Sequence, residues 1–254
     1  MKSPEERARE IFGERASFYT TSSAHTDPQV LARVVELAAP RSNWAALDIA
    51  TGSGHTAFAL SPYVGSVIGI DITPEMLREA EGLKSQRSIR NVTFQTGDVH
   101  KLPFSDGSFH LVTCRRAAHH FSDIRRALAE IHRVLVPGGR VVIDDRSVPE
   151  DDFADACMNQ LDVYHDESHV REYRPSEWQL MLGETNFSVE AVEPYIRHRP
   201  LSSLTKGVSA ANVSKINDTL ARFTADQREV FNLVEKDGEL YLNHWFVLVA
   251  ALRL

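Results

Sequence analysis

Leu47-Asp48-Ile49-Ala50-Thr51-Gly52-Ser53-Gly54 reads as a short buried strand running into a glycine turn, and His55-Thr56-Ala57-Phe58 opens a helix behind it. Gly52 and Gly54 let the backbone approach a ligand closely, because neither carries a Cβ. The helix start offers N–H groups that have no partner inside the helix. At the end of the first strand of a parallel sheet, such a turn is a nucleotide site. Asp48, inside the strand, narrows the ligand: its charge opposes a pyrophosphate and suits a cationic or hydroxyl-rich group. Two further acids stand at strand ends, Asp71 closing Val67-Ile68-Gly69-Ile70-Asp71 and Asp98 following Phe94-Gln95-Thr96-Gly97. An acid at the second strand end can accept from both hydroxyls of a ribose. Asp98, one strand further out, is placed to accept from the exocyclic amine of an adenine. Ile72, Met76 and Val99 can sandwich the ring, a task that suits flexible, polarizable Met.

Gly52-Ser53-Gly54-His55-Thr56-Ala57 also fits the G-x-G-x-x-A fingerprint of dinucleotide sites. Asp71 lies about 17 residues past Gly54, near the spacing of the ribose acid there. An NAD(P)-dependent oxidoreductase is therefore the main competitor, and a nucleotide-sensing module without turnover is a second. Against the dinucleotide stand Asp48, which would repel its phosphates, and the Gly97-Asp98 corner, which it leaves without a task.

His119-His120 follow the fourth strand, and an imidazole with an ordinary pKa near 6.5 suits a base at neutral pH. The plain alternative is that one packs or bonds to the backbone and the other is solvated. In VYHDESHVREYR, His165 and His169 would share a helix face, but no third ligand accompanies them, so no metal is expected. Asp144-Asp145-Arg146, ending the fifth strand, either faces a substrate or pairs internally.

The elements that must position these residues begin with two helices. Ser3-Pro4-Glu5-Glu6 is a capping box that opens the first, with Gly13 as its stop. Asp27-Pro28 opens the second, which ends at Pro40; the polar stretch from Ser17 to Thr26, with Tyr19 and His25, reads as a loop. Five strands follow at 45–50, 66–71, 92–96, 109–115 and 140–144, with helices at 54–61, 74–86 and 122–135 between them. Thr73-Pro74-Glu75 caps one helix and Pro137-Gly138-Gly139 ends another. Near-continuous apolar strands alternating with helices mean a parallel sheet covered on both faces. Beyond Arg146 helices are expected at 151–165 and 176–183, a strand at 187–196, helical segments from Leu201 to about Val234, and a last strand at 239–252 after the Asp237-Gly238 turn.

The 254 residues, 43% hydrophobic and 25% charged, are ordinary for a globular α/β chain. A net charge of −7 disfavours nucleic acid as partner. The N-terminus carries no signal-peptide core, and Trp245–Leu252 is too short to span a bilayer. Cys114 and Cys157 lack metal-ligand spacing and fit a reducing, cytoplasmic setting as structural thiols.

Together LDIATGSGHTAFAL, VIGIDITPEML, GDVHKLPFSDGSFHLVTCRRAAHHF and ALAEIHRVLVPGGRVVI resemble the class I S-adenosylmethionine-dependent methyltransferases. More narrowly, they are similar to the ubiquinone/menaquinone C-methyltransferases and their small-molecule relatives. The resemblance implies a doubly wound Rossmann-like sheet of seven strands, six parallel and the last antiparallel. It implies one domain over 1–254: a helical cap at 1–40, a cofactor-binding core at 44–146, and substrate-side helices with the last two strands at 147–254. The cofactor would be S-adenosyl-L-methionine, leaving S-adenosyl-L-homocysteine, and the partner a small-molecule methyl acceptor. Ala50, Gly52 and Gly54 would wrap the methionine part, Asp71 hold the ribose, and Asp98 with Val99 hold the adenine. Arg115 would offer its backbone carbonyl to the amino group, and Tyr19 would touch the cofactor from the cap. Ala50 stands where many members have glycine and is tolerable if its φ stays negative; His110 stands where aspartate is usual. The quinone enzymes' own signature after the fourth strand is absent, so no quinone is implied.

Overall fold

The computed structural model describes residues 3–254; Met1 and Lys2 of the expected cap lie outside the described residues. The strands are β1 (Ala45–Ile49), β2 (Ser66–Asp71), β3 (Val92–Thr96), β4 (Phe109–Arg115), β5 (Leu135–Ser147), β6 (Phe187–Pro200), β7 (Val234–Lys236) and β8 (Glu239–Arg253). They lie in the order β3-β2-β1-β4-β5-β8-β6, with β7 on β8. The first five pair in parallel. β8 runs against both β5 and β6, so β6 shares the direction of the first five. The expected six-plus-one arrangement is present, with the opposed strand between β5 and β6. The eighth strand, β7, was not anticipated: Asp237 and Gly238, at φ 53° and 79°, fold three residues back onto β8 as a two-residue hairpin.

The helices are α1 (Pro4–Glu14), α2 (Ala16–Thr21), α3 (Ser23–Thr26), α4 (Pro28–Ala38), α5 (His55–Leu60), α6 (Pro74–Gln86), α7 (Ile124–Val134), α8 (Asp152–His165), α9 (Pro175–Glu184), α10 (Ser202–Thr205), α11 (Ala210–Ala221) and α12 (Ala225–Val230). α7 presents Ile124, Ala127, Leu128, Ile131 and Val134, all buried at helical spacing, to one sheet face beside Trp178 of α9. On the other face α4 and α5 pack Val34, Ala38, Phe58 and Leu60 against Ala46, Val67 and Leu111. A third cluster joins α8, α10 and α11 to Phe231 and Trp245 beyond the C-terminal end of β5.

The Ser3 capping box forms, Ser3 Oγ accepting from the Glu6 N–H at 3.1 Å and Glu6 Oε2 from the Ser3 N–H at 2.8 Å. Several expectations need correction. Gly13 does not stop α1, which runs on to Glu14. The Ser17–Thr26 stretch is not a loop but two short helices, α2 and α3, tied down by aromatic packing of Tyr19 on Phe12, Phe18 and His25. Thr73 starts α6 without a side-chain cap bond. Pro137-Gly138-Gly139 does not end α7. That helix stops at Val134 and β5 starts at once, and the proline and glycines form a bulge where the β4 pairing jumps from Phe109↔Leu135 to Leu111↔Arg140. Gly138 has φ 72°, and a Cβ on Gly139 would stand 2.8 Å from the Val136 carbonyl oxygen, so the bulge needs both glycines.

Candidate active site

Strand order reverses at β1, whose neighbours are β2 and β4, and a crevice opens beyond their C-terminal ends. The glycine turn lies in it. Gly52 and Gly54 have φ 54° and 86°. A Cβ on Gly54 would stand 2.8 Å from Phe94 and 2.9 Å from Phe58, so this glycine serves packing under the turn. A Cβ on Gly52 would meet nothing within 4 Å; the space it would enter is the crevice. Ala50 contradicts the expectation of a negative φ. It sits at φ 49°, in the left-handed region that costs an alanine about 1–2 kcal/mol.

The three acids are differently placed. Asp71 Oδ2 accepts the Gly52 N–H and Oδ1 the Thr73 N–H, each at 2.9 Å. Burial raises its pKa, and these bonds pull it back. Asp48 is buried in β1, bonded by Thr51 Oγ1 at 2.5 Å and Thr113 Oγ1 at 2.7 Å. Burial pushes its pKa up to about 6, against the pull of both hydroxyls and of Arg115. Asp98 is half exposed, and its Oδ1 takes the His100 N–H at 2.9 Å and His100 Nδ1 at 2.8 Å. One of the two oxygens expected to face an adenine amine is thus already engaged. Ile72, Met76 and Val99 line the same crevice.

Arg115 has more to offer than the backbone carbonyl acceptor expected of it. Its side chain is buried in the crevice, Nε donating to Thr56 Oγ1 at 3.0 Å and Nη2 to the His25 carbonyl of the cap. Nη1 is buried and makes no hydrogen bond among the described residues, 3.9 Å from Asp144. A buried guanidinium nitrogen left open beside a glycine turn is a seat for a ligand carboxylate. With the open space at Gly52 and the spare lone pairs of Asp71, these residues fit a nucleoside joined to an amino acid.

A second cavity of 790 Å³ adjoins the crevice. Phe12, Tyr19, His25, Arg116 and His120 line both. His120 Nδ1 lies 3.2 Å from the Ser168 carbonyl and 3.1 Å from Ser168 Oγ, whose own proton goes to Asp166. A carbonyl only accepts, so Nδ1 carries a proton, and in the neutral ring Nε2 is the nitrogen with the lone pair. His119 lines the second cavity only, with Nδ1 2.6 Å from Asp145 Oδ1. Burial, helped by His120 and Arg146, holds the His119 pKa far below the usual imidazole range. Tyr19 is pushed up to about 12 by burial, so it stays a neutral phenol.

His165 and His169 do not share a helix face: α8 ends at His165, and His169 lies in the following loop with Nε2 on Asn159 Oδ1 at 3.0 Å. The Asp144-Asp145-Arg146 run divides its work. Asp144 binds Arg116 and the Tyr195 hydroxyl, Asp145 orients His119, and Arg146 lines the second cavity while paired to Asp162 and Glu172. Phe12, Arg116 and Ser168 were missed from sequence; only their place after or opposite the fourth strand brings them in.

Comparison with known proteins bears on these cavities. A family model described as a methyltransferase domain matches residues 47–143. The uncharacterized methyltransferase YcgJ of Bacillus subtilis is 40% identical over 184 residues, 72% of this chain and 73% of that protein. The crystal structure of YcgJ superposes with a TM-score of 0.83 at 35% identity, covering 88% of this chain and 97% of that one. A demethylmenaquinone methyltransferase of Deinococcus radiodurans is 45% identical over 103 residues, 38% of this chain and 41% of that protein.

Proposed function

The chain belongs to the class I S-adenosylmethionine-dependent methyltransferases, and from that premise we propose that it methylates a small molecule held in the second cavity. S-Adenosyl-L-methionine is the cofactor; bound in the crevice, it supplies an electrophilic methyl group on a sulfonium centre. One observation carries the reading: Phe12, Tyr19, His25, Arg116 and His120 line both cavities, so a methyl acceptor and a donor can meet across them.

In this reading the chain is one domain, with the cap of 1–40, the core of 44–146 and the substrate-side 147–254 all contributing. Asp71 keeps a lone pair on each oxygen beyond those used by Gly52 and Thr73, enough for two ribose hydroxyls. Ala50 and Gly52 wrap the methionine part, while Gly54 seats the turn on Phe58 and Phe94 rather than lining the crevice. The open Nη1 of Arg115 takes its carboxylate and the Arg115 carbonyl its ammonium, with Asp48 supplying negative charge nearby. Ile72, Met76 and Val99 hold the adenine, with Asp98 at its edge, and Tyr19 closes over from the cap.

No general acid is needed, because a thioether leaves as a neutral group. The protein's main task is alignment, which can contribute about 7–11 kcal/mol. Where the acceptor must lose a proton, Nε2 of His120 receives it, while Ser168 fixes the ring. His119, kept neutral by burial and oriented by Asp145, shapes the wall beside it.

Calorimetry with S-adenosylhomocysteine and with NAD tests the reading. The homocysteine compound is expected to bind and NAD not to; binding of NAD alone would overturn it. Methyl release in a screen of phenols, amines and quinols then separates turnover from mere sensing.

A further inference from the structure

Four guanidinium groups line the second cavity, and three of them already have partners. Arg15 donates from Nη2 to the Gly207 carbonyl at 3.4 Å. Arg116 bonds Asp144 at 3.0 Å and the Tyr195 hydroxyl at 2.7 Å, and lies 3.9 Å over the Phe246 ring. Arg146 holds Asp162 at 2.7 Å and binds Glu172 as well. The fourth, Arg199, stands near the end of β6 opposite Leu242 of β8. Among the described residues its guanidinium makes no hydrogen bond and no ion pair. It is partly buried, and the charges of Arg146 and Arg116 bear on it.

The acids facing the cavity offset it only in part: the charge of Asp162 reaches Arg199 but none forms an ion pair with it among the described residues. Asp162 is held by Arg146, and Asp166 takes the Ser168 N–H at 2.9 Å and hydroxyl at 2.7 Å. Glu14 is exposed on the cap. Lys206 adds another positive charge to the lining. A half-desolvated guanidinium among like charges is a strong seat for an anion, and its planar fork matches a carboxylate or a phosphate.

We propose that the methyl acceptor carries an anionic group, a carboxylate or a phosphate, and that Arg199 is the residue that seats it. The proposal rests on the methyltransferase reading, which makes this cavity the acceptor's. Arg199 does not line the crevice, so it has no part in holding the cofactor.

The test is calorimetry on the full chain saturated with S-adenosylhomocysteine, at constant ionic strength in chloride. Inorganic phosphate and benzoate are titrated separately into wild type, Arg199→Gln and Arg199→Lys. At least one anion is expected to bind wild type; phosphate alone would mark a phosphorylated acceptor and benzoate alone a carboxylate. Arg199→Gln should weaken that anion at least tenfold and Arg199→Lys by less, with S-adenosylhomocysteine affinity unchanged in both. Arg125→Gln, which removes an exposed α7 charge that is paired to Glu184 and does not line the cavity, should leave anion binding unchanged. Wild type that binds neither anion, Arg199→Gln that binds as well as wild type, or an equal loss in Arg125→Gln would each overturn the proposal. Those results leave the methyltransferase reading standing; failure of wild type to bind S-adenosylhomocysteine would overturn that reading, and this proposal with it.

Discussion

Asp71 Oδ2 accepts the backbone N–H of Gly52 at 2.9 Å, so the acid at the end of β2 and the turn at the end of β1 hold each other in place. The same carboxylate takes the Thr73 N–H. An acid so fixed presents its remaining lone pairs in one direction, into the crevice. Asp71→Ala should weaken S-adenosylhomocysteine binding by about 1.5–3 kcal/mol, the scale of a lost bond to a charged group. It should also lower stability by about 1–3 kcal/mol, because two N–H groups lose their acceptor. Titration and denaturant unfolding read the two effects apart, and an unchanged dissociation constant contradicts the ribose role.

The two glycines of the turn should respond differently to alanine. Gly54→Ala meets Phe58 and Phe94 below 3.0 Å at a φ of 86°, and should lower stability by about 2–4 kcal/mol. Gly52→Ala meets nothing, and should cost only the left-handed backbone, about 1–2 kcal/mol. Its methyl group would occupy the crevice, so it should weaken S-adenosylhomocysteine at least tenfold. Equal stability losses, or full affinity in Gly52→Ala, would contradict the assignment of these two faces.

Much of this was legible in sequence for physical reasons. β1 to β4 lie within one residue of the expected ranges, and α6 occupies 74–86 as expected, because apolar runs and first-turn prolines are local signals. Asp48, Asp71, Ile72, Met76, Val99 and Arg115 line one crevice because strand ends in a parallel sheet converge. What failed was set by distant contacts. The helicity of α2 depends on Phe12 and His25 around Tyr19, and the positive φ of Ala50 on the turn as a whole. The bulge at Gly138 depends on β4 beside it. The second cavity draws on α1, β5, α8 and β6, so no short motif could announce Arg199 or Ser168.

His120→Ala should lower turnover by about 10²-fold or more, the usual reach of a positioned base, while leaving S-adenosylhomocysteine affinity within twofold. Burial lowers the His119 pKa well below the usual imidazole range, so a step near neutrality is expected from His120 and not from His119. A pH–rate profile from 6 to 9 of wild type and His120→Ala is the check. Superimposable profiles of equal height would remove His120 as the base.

Asp48 gives a stability prediction whose sign follows from linkage. Its folded pKa is raised to about 6 by burial, against about 3.9 in an unfolded chain. The folded state therefore holds a proton that the unfolded state has released between those values. The stability this contributes is fully present below about pH 4 and lost as pH rises through about 6. Buried neutral histidines such as His25, His119 and His244, whose pKa values burial lowers, work in the opposite sense, since they favour the folded state as pH rises. Their contribution is common to wild type and Asp48→Asn and cancels in the difference. Asn keeps a polar partner for Thr51 and Thr113 and never ionises. Without cofactor, Asp48→Asn should match wild type at pH 4 and exceed it at pH 8 by about 2–3 kcal/mol, the cost of ionising the buried acid. Denaturant unfolding at the two pH values measures it; a difference that does not grow with pH would mean that Asp48 is ionised in the fold at little cost.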